Sequence, residues 1–552
     1  MAKATPKKDP NALAEVAGNV FAGIMAVFTL VVLVVFPLYY HNYYFDILKA
    51  KYKFYWITVV AMAVICLIVA LVFLFVDRME YDGVNTKRFF SHFRLGSLKK
   101  QPAAYKFLIL FLILAAISTL LSDYKFESFW GNEGRFSGLF LISLYALGVF
   151  MIGKLGKIKK WYLDLFLLSG VLVCLFGITD YFRMDLLHWK AGVTSTQADS
   201  FTSTLGNINT YTAYVALVLG VACGLFTTEK NIFRNIWYFM VLLIGFFAII
   251  TGQSDNAYLA LGAVFALFPL ALFATRKGII RYITVIASFM SVIKVIDEIN
   301  KKMAEKVIGL SGIFDVLVRH KYLEVIVIAL WLLVAVLYIG DRVLMKDKED
   351  KVGKWLRITW FCLIAAGVAA VIAVLYDANF GPNPEKYSSL SRYLIFNDSW
   401  GTNRGYCWRI GWESYMQQPL IHKLFGFGPD TFGILTWPFR QDSLDTYGVF
   451  FESAHNEYFQ YLVTMGPFTM IAYILFLVSS CARMFRFAKV QPWLLAPLGA
   501  TVCYGAQALV NINLPIATPV MWALLAVGLA MCKNVSETAR GADKQEPAVQ
   551  NK

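Results

Sequence analysis

Long apolar runs, separated by mostly short polar connections, set the pattern of this chain. A membrane-spanning helix needs about 20 mostly apolar residues, and runs of that kind recur along most of the sequence. They lie at 19–40, 55–76, 105–121, 138–153, 161–182, 208–227, 236–251, 256–275, 281–297, 321–340, 356–376, 457–480, 492–510 and 519–533. The pattern predicts an all-α fold: a polytopic integral membrane bundle of about 14 transmembrane helices with one large extracytoplasmic loop.

The amino-acid composition excludes a soluble globular protein. Hydrophobic residues make up 58% of the chain and charged residues 16%, whereas soluble domains carry roughly 25% charged residues. The mean hydropathy is +0.58. The net charge of +15 would also suit a nucleic-acid ligand, so the distribution of the charge decides how it is interpreted.

Positive residues gather in alternate loops, which indicates topology and not nucleic-acid binding. These residues are Lys3, Lys7, Lys8, Lys87, Arg88, Arg94, Lys99, Lys100, Lys154, Lys157, Lys159, Lys160, Arg276, Lys277, Arg281, Arg342, Lys346, Lys348, Lys351, Lys354, Arg483, Arg486 and Lys489. The positive-inside rule makes such loops cytoplasmic. An even number of spans then places both termini in the cytoplasm, and the loops outside are 41–54, 122–137, 183–205, 252–255, 298–320, 377–454 and 511–518.

The predicted organisation has five parts. Residues 1–104 form an N-terminal cytoplasmic segment, two additional transmembrane helices and a basic cytoplasmic loop. The rest comprises a central bundle (105–376), the large loop (377–454), C-terminal transmembrane helices (455–534) and a disordered cytoplasmic tail (535–552). The first apolar run is too long for a cleavable signal peptide and lacks a small-residue cleavage site, so we interpret it as an anchor.

The cysteines indicate neither a disulfide framework nor a metal site. Seven of the eight lie in or beside apolar runs, where cysteine behaves as a small hydrophobe, and Cys407 alone lies in an outer loop. No CxxC, HExxH or EF-hand spacing occurs. We therefore expect no metal and no other cofactor.

The large loop is the first place to look for function, because long ordered loops on a rigid scaffold often carry it. Thr402 or Asn403 is expected to cap a helix that runs to about Gln418, where Pro419 stops it. Arg404 and Trp408 share one face of that helix. An arginine over aromatic rings can bind phosphate oxygens at two points; the alternatives are a cation–π contact with Trp408 or a pair with a loop carboxylate.

The histidine after the large loop is a candidate general base. His455 and Asn456 are expected in the first turn of the next helix, whose dipole disfavours the imidazolium form. A neutral imidazole there can accept a proton from an attacking hydroxyl, and the helix N-terminus attracts anions. The alternative is an interfacial histidine that hydrogen-bonds locally.

Other polar residues at the outer ends of spans are candidates for substrate binding. Arg135 follows two glycines in an outer loop and can reach a second phosphate, unless it is a snorkelling interfacial arginine. Asn207 and Asn209 stand in STLGNINTY at the mouth of a span, where helix capping is the competing explanation. Arg183 precedes that segment and adds positive potential.

These motifs together resemble a known family. GRFSG in an early outer loop is followed by STLGNIN at a span mouth. The late loop carries R-x-x-x-W, P-L-x(5)-G-x-G-P-x-x-F and A-H-N-E-Y. The order is similar to that in the O-antigen ligase and O-antigen polymerase superfamily of bacterial membrane glycosyltransferases. The resemblance extends from Tyr105 to Asn534 and is strongest between Asn403 and Gly466.

The resemblance implies a function in the bacterial cytoplasmic membrane. Family members transfer a glycan from an undecaprenyl-diphosphate carrier to an acceptor hydroxyl of a glycan, lipid or protein on the extracytoplasmic face, without a metal. It implies that Arg404 binds the diphosphate and His455 activates the acceptor. The chain departs from the family at Asp199–Phe201 and at Asp255, where members often carry an arginine, so Arg135 or Arg183 would supply the second cation.

Two other classes of protein compete with a glycosyltransferase. A transporter or flippase of lipid-linked saccharides would need polar residues along a path at mid-membrane depth, and the apolar runs are nearly free of them. A structural or sensory membrane protein would tolerate replacement of His455. The sequence leaves the glycan, the acceptor and the choice between ligase and polymerase open.

Overall fold

The computed structural model describes residues 9–91, 96, 99–346 and 348–545, and these residues are almost entirely helical. In chain order the long helices are α1 (Pro10–Leu38), α2 (Ile47–Glu80), α3 (Ala103–Leu121), α4 (Leu139–Leu155), α5 (Trp161–Tyr181), α6 (Ile208–Thr228), α7 (Ile232–Thr251), α8 (Asn256–Leu272), α9 (Arg276–Lys302), α10 (Leu323–Val343), α11 (Lys354–Phe380), α12 (Trp400–Gln417), α13 (Glu457–Phe487), α14 (Leu495–Gln507) and α15 (Thr518–Gln545).

Eleven helices of the described chain are long and apolar enough to cross a membrane. Helices α4, α8 and α14 coincide with the other three predicted runs but are shorter, and α12 is polar. Helix α15 continues through residues 535–545, which belong to the predicted disordered tail; residues 546–552 lie outside the described part.

Short elements fill the connections. The short α-helices are Val84–Ser91, Lys125–Trp130, Ser195–Ala198, Gly312–Val318, Ser391–Leu394, Leu420–Phe425, Phe432–Leu435 and Arg440–Tyr447, and the 3₁₀ turns are Ser203–Leu205, Ala304–Lys306, Pro384–Leu390, Trp437–Phe439 and Pro492–Leu494. Two strands, β1 (Phe201–Thr202) and β2 (Gly206–Asn207), pair in antiparallel fashion.

The centre of the bundle is the contact between α6 and α14. Every residue in the most apolar stretch of α6 is buried. A Cβ added to Gly220 would lie 2.5 Å from the backbone nitrogen of Ala500, and one added to Gly224 would lie 2.3 Å from that of Ala496. Small residues four positions apart let two membrane helices approach until their backbones touch, and these two glycines hold α6 against α14 in that way.

Helices α10 and α11 lie at the periphery. Only 6% of the most apolar stretch of α10 is buried, and none of that of α11. Their side chains are as apolar as those of the central helices, and most of them face away from the rest of the protein, so they are suited to contact with lipid. The protein therefore has a packed core and a lipid-facing margin.

Loops gather at two opposite ends of the bundle. At one end the basic loops contact each other: Lys533 donates to the Lys154 carbonyl at 2.6 Å, and Arg276 pairs with Asp341 at 2.8 Å. We call this the basic end. At the other end the residues that connect α3 to α4, α11 to α13 and α14 to α15 come together, and the candidate residues lie there. We call this the site end.

The segment between α11 and α13, residues 381–456, docks on the site end through a glycine turn. Gly428 has a φ of 95°, and its N–H donates to the Ser118 hydroxyl and to the Thr464 carbonyl, each at 2.9 Å. A Cβ on Gly426 would lie 2.0 Å from that same carbonyl. Gly466, with φ 80°, breaks the regular backbone of α13 at this contact. Only glycine allows this approach.

Two local predictions for this segment need correction. Thr402 and Asn403 do not cap α12; both have positive φ, and the regular helix follows them. His455 is not in the first turn of α13, because the helix starts at Glu457 with Asn456 as its N-cap. The predicted end of α12 near Gln418 is confirmed, and on the same helix Arg409 pairs with Glu413 at 3.1 Å.

We predict that Gly428→Ala destabilises the protein more than Gly448→Ala. Both glycines have positive φ, which costs a residue with a Cβ about 1–2 kcal/mol. Only at Gly428 would the new Cβ also collide with a neighbour, the Ser128 hydroxyl at 1.7 Å, whereas nothing lies within 4 Å of one at Gly448. The collision adds about 1–3 kcal/mol. Equal midpoints for thermal loss of monodisperse protein in detergent would contradict this account of the turn.

Candidate functional site

A buried carboxylate joins the loop before α4 to the segment before α13. Asp430 follows the glycine turn with a φ of 63° and accepts the backbone N–H groups of Asn132, at 2.7 Å, and Ser137, at 3.0 Å. Burial raises the pKa of the Asp430 carboxyl to about 7, although the two N–H donors and the charge of Arg135 act in the opposite direction. The carboxylate therefore fixes both ends of the turn that carries Arg135.

The turn itself is compact because of its glycines. A Cβ on Gly138 would lie 2.3 Å from the Gly131 nitrogen, so the turn closes on itself at its base. The Ser137 hydroxyl donates to the Asn513 carbonyl at 3.2 Å, which ties the turn to the connection between α14 and α15. This turn holds Arg135 over the bundle, and the alternative of a freely snorkelling arginine does not fit its enclosed position.

Arg135 is a half-buried cation with spare hydrogen-bonding capacity. Its Nε is buried and has no hydrogen-bond partner among the described residues. Burial lowers the pKa of the guanidinium, and the carboxylates of Asp430 and Glu452 partly compensate. A cavity of about 20 Å³ lies beside it, lined in part by Ser453 and Asn513.

Arg404 is held at the start of the regular part of α12 by two backbone carbonyls. Its Nε donates to Val510 at 2.9 Å and its Nη1 to Gly401 at 2.5 Å. The residue is 7% exposed, and burial lowers the pKa of its guanidinium, with the charge of Asp255 acting in the opposite direction. The backbone is left-handed at Gly401, Thr402 and Asn403, which is strained at the two residues that are not glycine, and this turn brings the Gly401 carbonyl to the arginine.

His455 precedes α13 in a left-handed conformation, with a φ of 49°. Its neighbour Ala454 is anchored, since the Trp408 indole donates to the Ala454 carbonyl at 2.9 Å. Trp408 also packs on Trp400, with the ring centroids 5.0 Å apart. Trp408, which we also predict to bind substrate, thus fixes the backbone immediately before the histidine. The imidazole has no hydrogen-bond partner among the described residues. This does not agree with the alternative of an interfacial histidine that hydrogen-bonds locally.

Electrostatics connects these three residues from separate parts of the chain. Burial, followed by the positive charges of Arg135 and Arg404, lowers the pKa of His455 to about 3. The imidazole is therefore neutral in the free protein, as the sequence led us to expect, but the reason differs. The expected cause was the helix dipole, whereas burial and two neighbouring guanidinium groups account for the neutral form here.

The other predicted substrate-binding residues have structural partners. Asn456 caps α13 by accepting the Phe459 N–H at 3.0 Å, and Asn207 caps α6 by accepting the Asn209 N–H at 2.8 Å. Asn209 accepts from Ser254 through its side chain. Arg183 lies 3.7 Å from Asp199 and is about half exposed. A contact between these residues and a substrate stays a prediction.

Sequence reasoning missed the residues that hold the site together. Asp430 was visible only as the last member of a Gly-Pro-Asp turn, and Glu452 as one acid of an ordinary loop. Val510 contributes a backbone carbonyl, for which no side-chain signal exists. Asp255, noted as a departure from the resembled family, is the acid whose charge acts on Arg404.

Comparison with known proteins assigns this chain to no family. A scan against protein-family models gives no match, and no curated protein matches this chain.

We predict that His455 does not titrate near its ordinary pKa of 6.5 in the free protein. Its neutral form persists as the pH falls, because protonation would place a third positive charge beside Arg135 and Arg404. NMR of the histidine-labelled chain, with the His455 signal assigned by His455→Gln, measures this.

Two changes should raise the pKa of His455: the addition of pyrophosphate and the substitution Arg404→Gln. Pyrophosphate would neutralise the two arginines, and Arg404→Gln removes one of them. A signal that titrates near pH 6.5 without any addition, or one that neither change moves, would show that the arginines do not act on His455.

Proposed function

We propose that this protein transfers a glycan from an undecaprenyl-diphosphate carrier to an acceptor hydroxyl at the outer face of the bacterial cytoplasmic membrane. The observation that carries the proposal is the convergence of Arg135, Arg404 and His455. Two segments far apart in the sequence, the loop of Arg135 and the segment of Arg404 and His455, bring two cations and one neutral imidazole to the same end of the bundle. A purely structural site would pair these cations with acids, and Arg135 keeps a buried Nε without a partner.

The chemistry of diphosphate departure fits this set of groups. The acceptor oxygen attacks the anomeric carbon of the donor, a carbon–oxygen bond forms, and the bond to the diphosphate breaks. His455 takes the proton of the acceptor hydroxyl, and undecaprenyl diphosphate leaves as an anion whose added charge faces Arg404 and Arg135. Two guanidinium groups supply the stabilisation that a metal ion supplies in other phosphate chemistry, so the proposal requires no cofactor.

Donor binding would also prepare the base. A histidine with a pKa near 3 holds a transferred proton poorly, and a base works best when its pKa is close to the working pH. A bound diphosphate carries negative charge to the two arginines and raises the pKa of the imidazole. We infer that His455 becomes an effective base only after the donor is seated.

An apolar groove beside the site supports a lipid-linked donor. The groove, of about 730 Å³, runs between α8, α13 and α14. Its outer end is lined by Tyr458 and Leu509, which adjoin the α13 N-terminus and Val510. A polyprenyl tail in this end of the groove would leave its diphosphate close to Arg404. We call the whole cavity the apolar groove.

The proposal includes an orientation. The site end would be extracytoplasmic, residues 381–456 the large outer loop, and both termini cytoplasmic, because basic loops gather at the opposite end. It also includes fourteen crossings, in which the shorter helices α4, α8 and α14 would join the eleven long ones. A thinner local bilayer or snorkelling flanks would accommodate them.

We expect an impermeant maleimide to label the Ser388→Cys variant, at the site end, in intact cells. The Lys159→Cys variant, at the basic end, should be labelled only after permeabilisation. Both are made with Cys362→Ser, which removes the cysteine that is exposed in the described chain. Native Cys407 is buried and would stay unlabelled. The reverse pattern would refute the orientation.

His455→Ala should abolish most transfer while donor binding persists. General-base assistance is typically worth about 10²–10⁴ in rate, so we expect a loss of that size with purified protein and an undecaprenyl-diphosphate glycan. His422→Ala is the matched control, because His422 lies in the same segment but stacks on Phe427 at 3.7 Å and is not one of the site groups. Normal turnover by the His455→Ala variant, or a loss explained by failed donor binding, would remove His455 from the role of base.

Arg404→Lys should be nearly as harmful as Arg404→Ala. The native guanidinium uses two of its nitrogens on the Val510 and Gly401 carbonyls and still has a third to offer a phosphate. One ammonium group cannot satisfy both carbonyls and keep a planar face for an anion. Transfer rates at saturating donor and donor affinities measure the effect. Full activity of the lysine variant would reduce Arg404 to a general positive charge.

A further inference from the structure

A second cavity lies at the basic end, far from the candidate site. It has a volume of about 670 Å³ and is enclosed by the end of α6 and the starts of α9, α11 and α14. Its charged lining is mostly positive: Lys230, Lys277, Arg281, Lys354, Arg357 and Lys489 contribute side chains to it. None of the arguments for glycan transfer uses this cavity. We call it the basic cavity.

The acids of the basic cavity are already engaged. Glu229 pairs with Lys160 and accepts the N–H groups of Lys230, at 2.7 Å, and Asn231, at 2.8 Å. Asp350 accepts the backbone N–H of Lys277 at 3.2 Å. Glu229 thus has its ion pair with Lys160, which does not line the cavity, and the two acids are outnumbered by the cations that do.

Several cations of the basic cavity lack a partner. The side chains of Lys277 and Lys354 make no ion pair among the described residues, and the buried Nε of Arg357 has no hydrogen-bond partner there. Arg281, by contrast, donates to the Phe226 carbonyl at 2.8 Å. An unsatisfied buried N–H beside uncompensated lysines is what an anion would complete.

The basic cavity opens directly into the apolar groove. Four residues line both: Leu270, Ala271, Phe485 and Leu495. From this junction the groove continues between α13 and α14 as a surface of aliphatic side chains, several of them exposed, such as Val478 at 57%. A soluble anion would use only the cations, whereas a ligand with a negative head and apolar chains would cover both surfaces.

We propose that the basic cavity and the adjoining part of the apolar groove form a binding site for an anionic phospholipid of the leaflet at the basic end. Its phosphate contacts Arg357, Lys277 and Lys354, and an acyl chain follows the groove past Ala271. Basic pockets between membrane helices recognise anionic head groups in this way. The inference does not rest on the proposed glycan transfer, whose diphosphate would lie at the opposite end of the bundle, although both ligands would use the apolar groove.

The test is native mass spectrometry of the full chain in detergent with dioleoyl-phosphatidylglycerol or dioleoyl-phosphatidylcholine, two lipids with the same chains. We expect at least tenfold tighter binding of phosphatidylglycerol. Each cation near the head group is worth roughly a factor of five, so the Lys277→Ala/Lys354→Ala/Arg357→Ala triple variant should bind it about 100-fold more weakly. The matched control, Lys87→Ala/Lys100→Ala/Lys159→Ala, removes three exposed cations outside the cavity and should bind normally.

Further variants and competitors distinguish binding of a lipid from binding of a free phosphate, and a lost site from a misfolded protein. Ala271→Trp fills the junction and should weaken phosphatidylglycerol binding, and glycerophosphoglycerol, which lacks acyl chains, should fail to compete at the same concentration. If the triple variant is not monodisperse, Lys277→Ala and Lys354→Ala, at exposed positions, should each show the fivefold loss. Equal binding of the two lipids, an unaffected triple variant, or full competition by glycerophosphoglycerol or inorganic phosphate would overturn the proposal.

Discussion

The carboxylate of Asp430 is the contact on which the site end depends. It lies in a buried turn and accepts two backbone N–H groups from a loop about 300 residues earlier in the chain. The glycines that precede it press the turn against α3 and α13 so closely that no side chain would fit. Without this contact, the loop of Arg135 and the segment of Arg404 and His455 would have no fixed relation.

That arrangement places like charges close together. Burial and two nearby guanidinium groups keep the imidazole neutral, and burial disfavours the charged form of both arginines. Such a set is unfavourable by itself, and the proposed diphosphate would make it favourable. The cost is borne by the rigid core of α6 and α14, whose backbones touch, because a looser bundle would let the cations move apart or become hydrated.

The ligands proposed for the site end and for the basic end would both be anchored in the membrane. The apolar groove extends along α13 and α14 from Tyr458 at the site end to Leu495 at the basic end, and cationic groups stand beyond both of its ends. The proposed donor and the proposed phospholipid would each place a phosphate at one end and an apolar chain in the groove. Occupancy from one side therefore limits the length of chain that can enter from the other.

The sequence by itself determined the helical membrane fold, because apolar runs of spanning length can bury their backbone polar groups in a bilayer only as helices. It also singled out Arg404, His455 and Arg135, because guanidinium groups can bind phosphate and a neutral imidazole can accept a proton at the outer face. Tertiary structure alone decided the rest. Asp430, the Val510 carbonyl and the place of His455 ahead of its helix act through backbone geometry and contacts between distant segments, and no local pattern encodes such contacts.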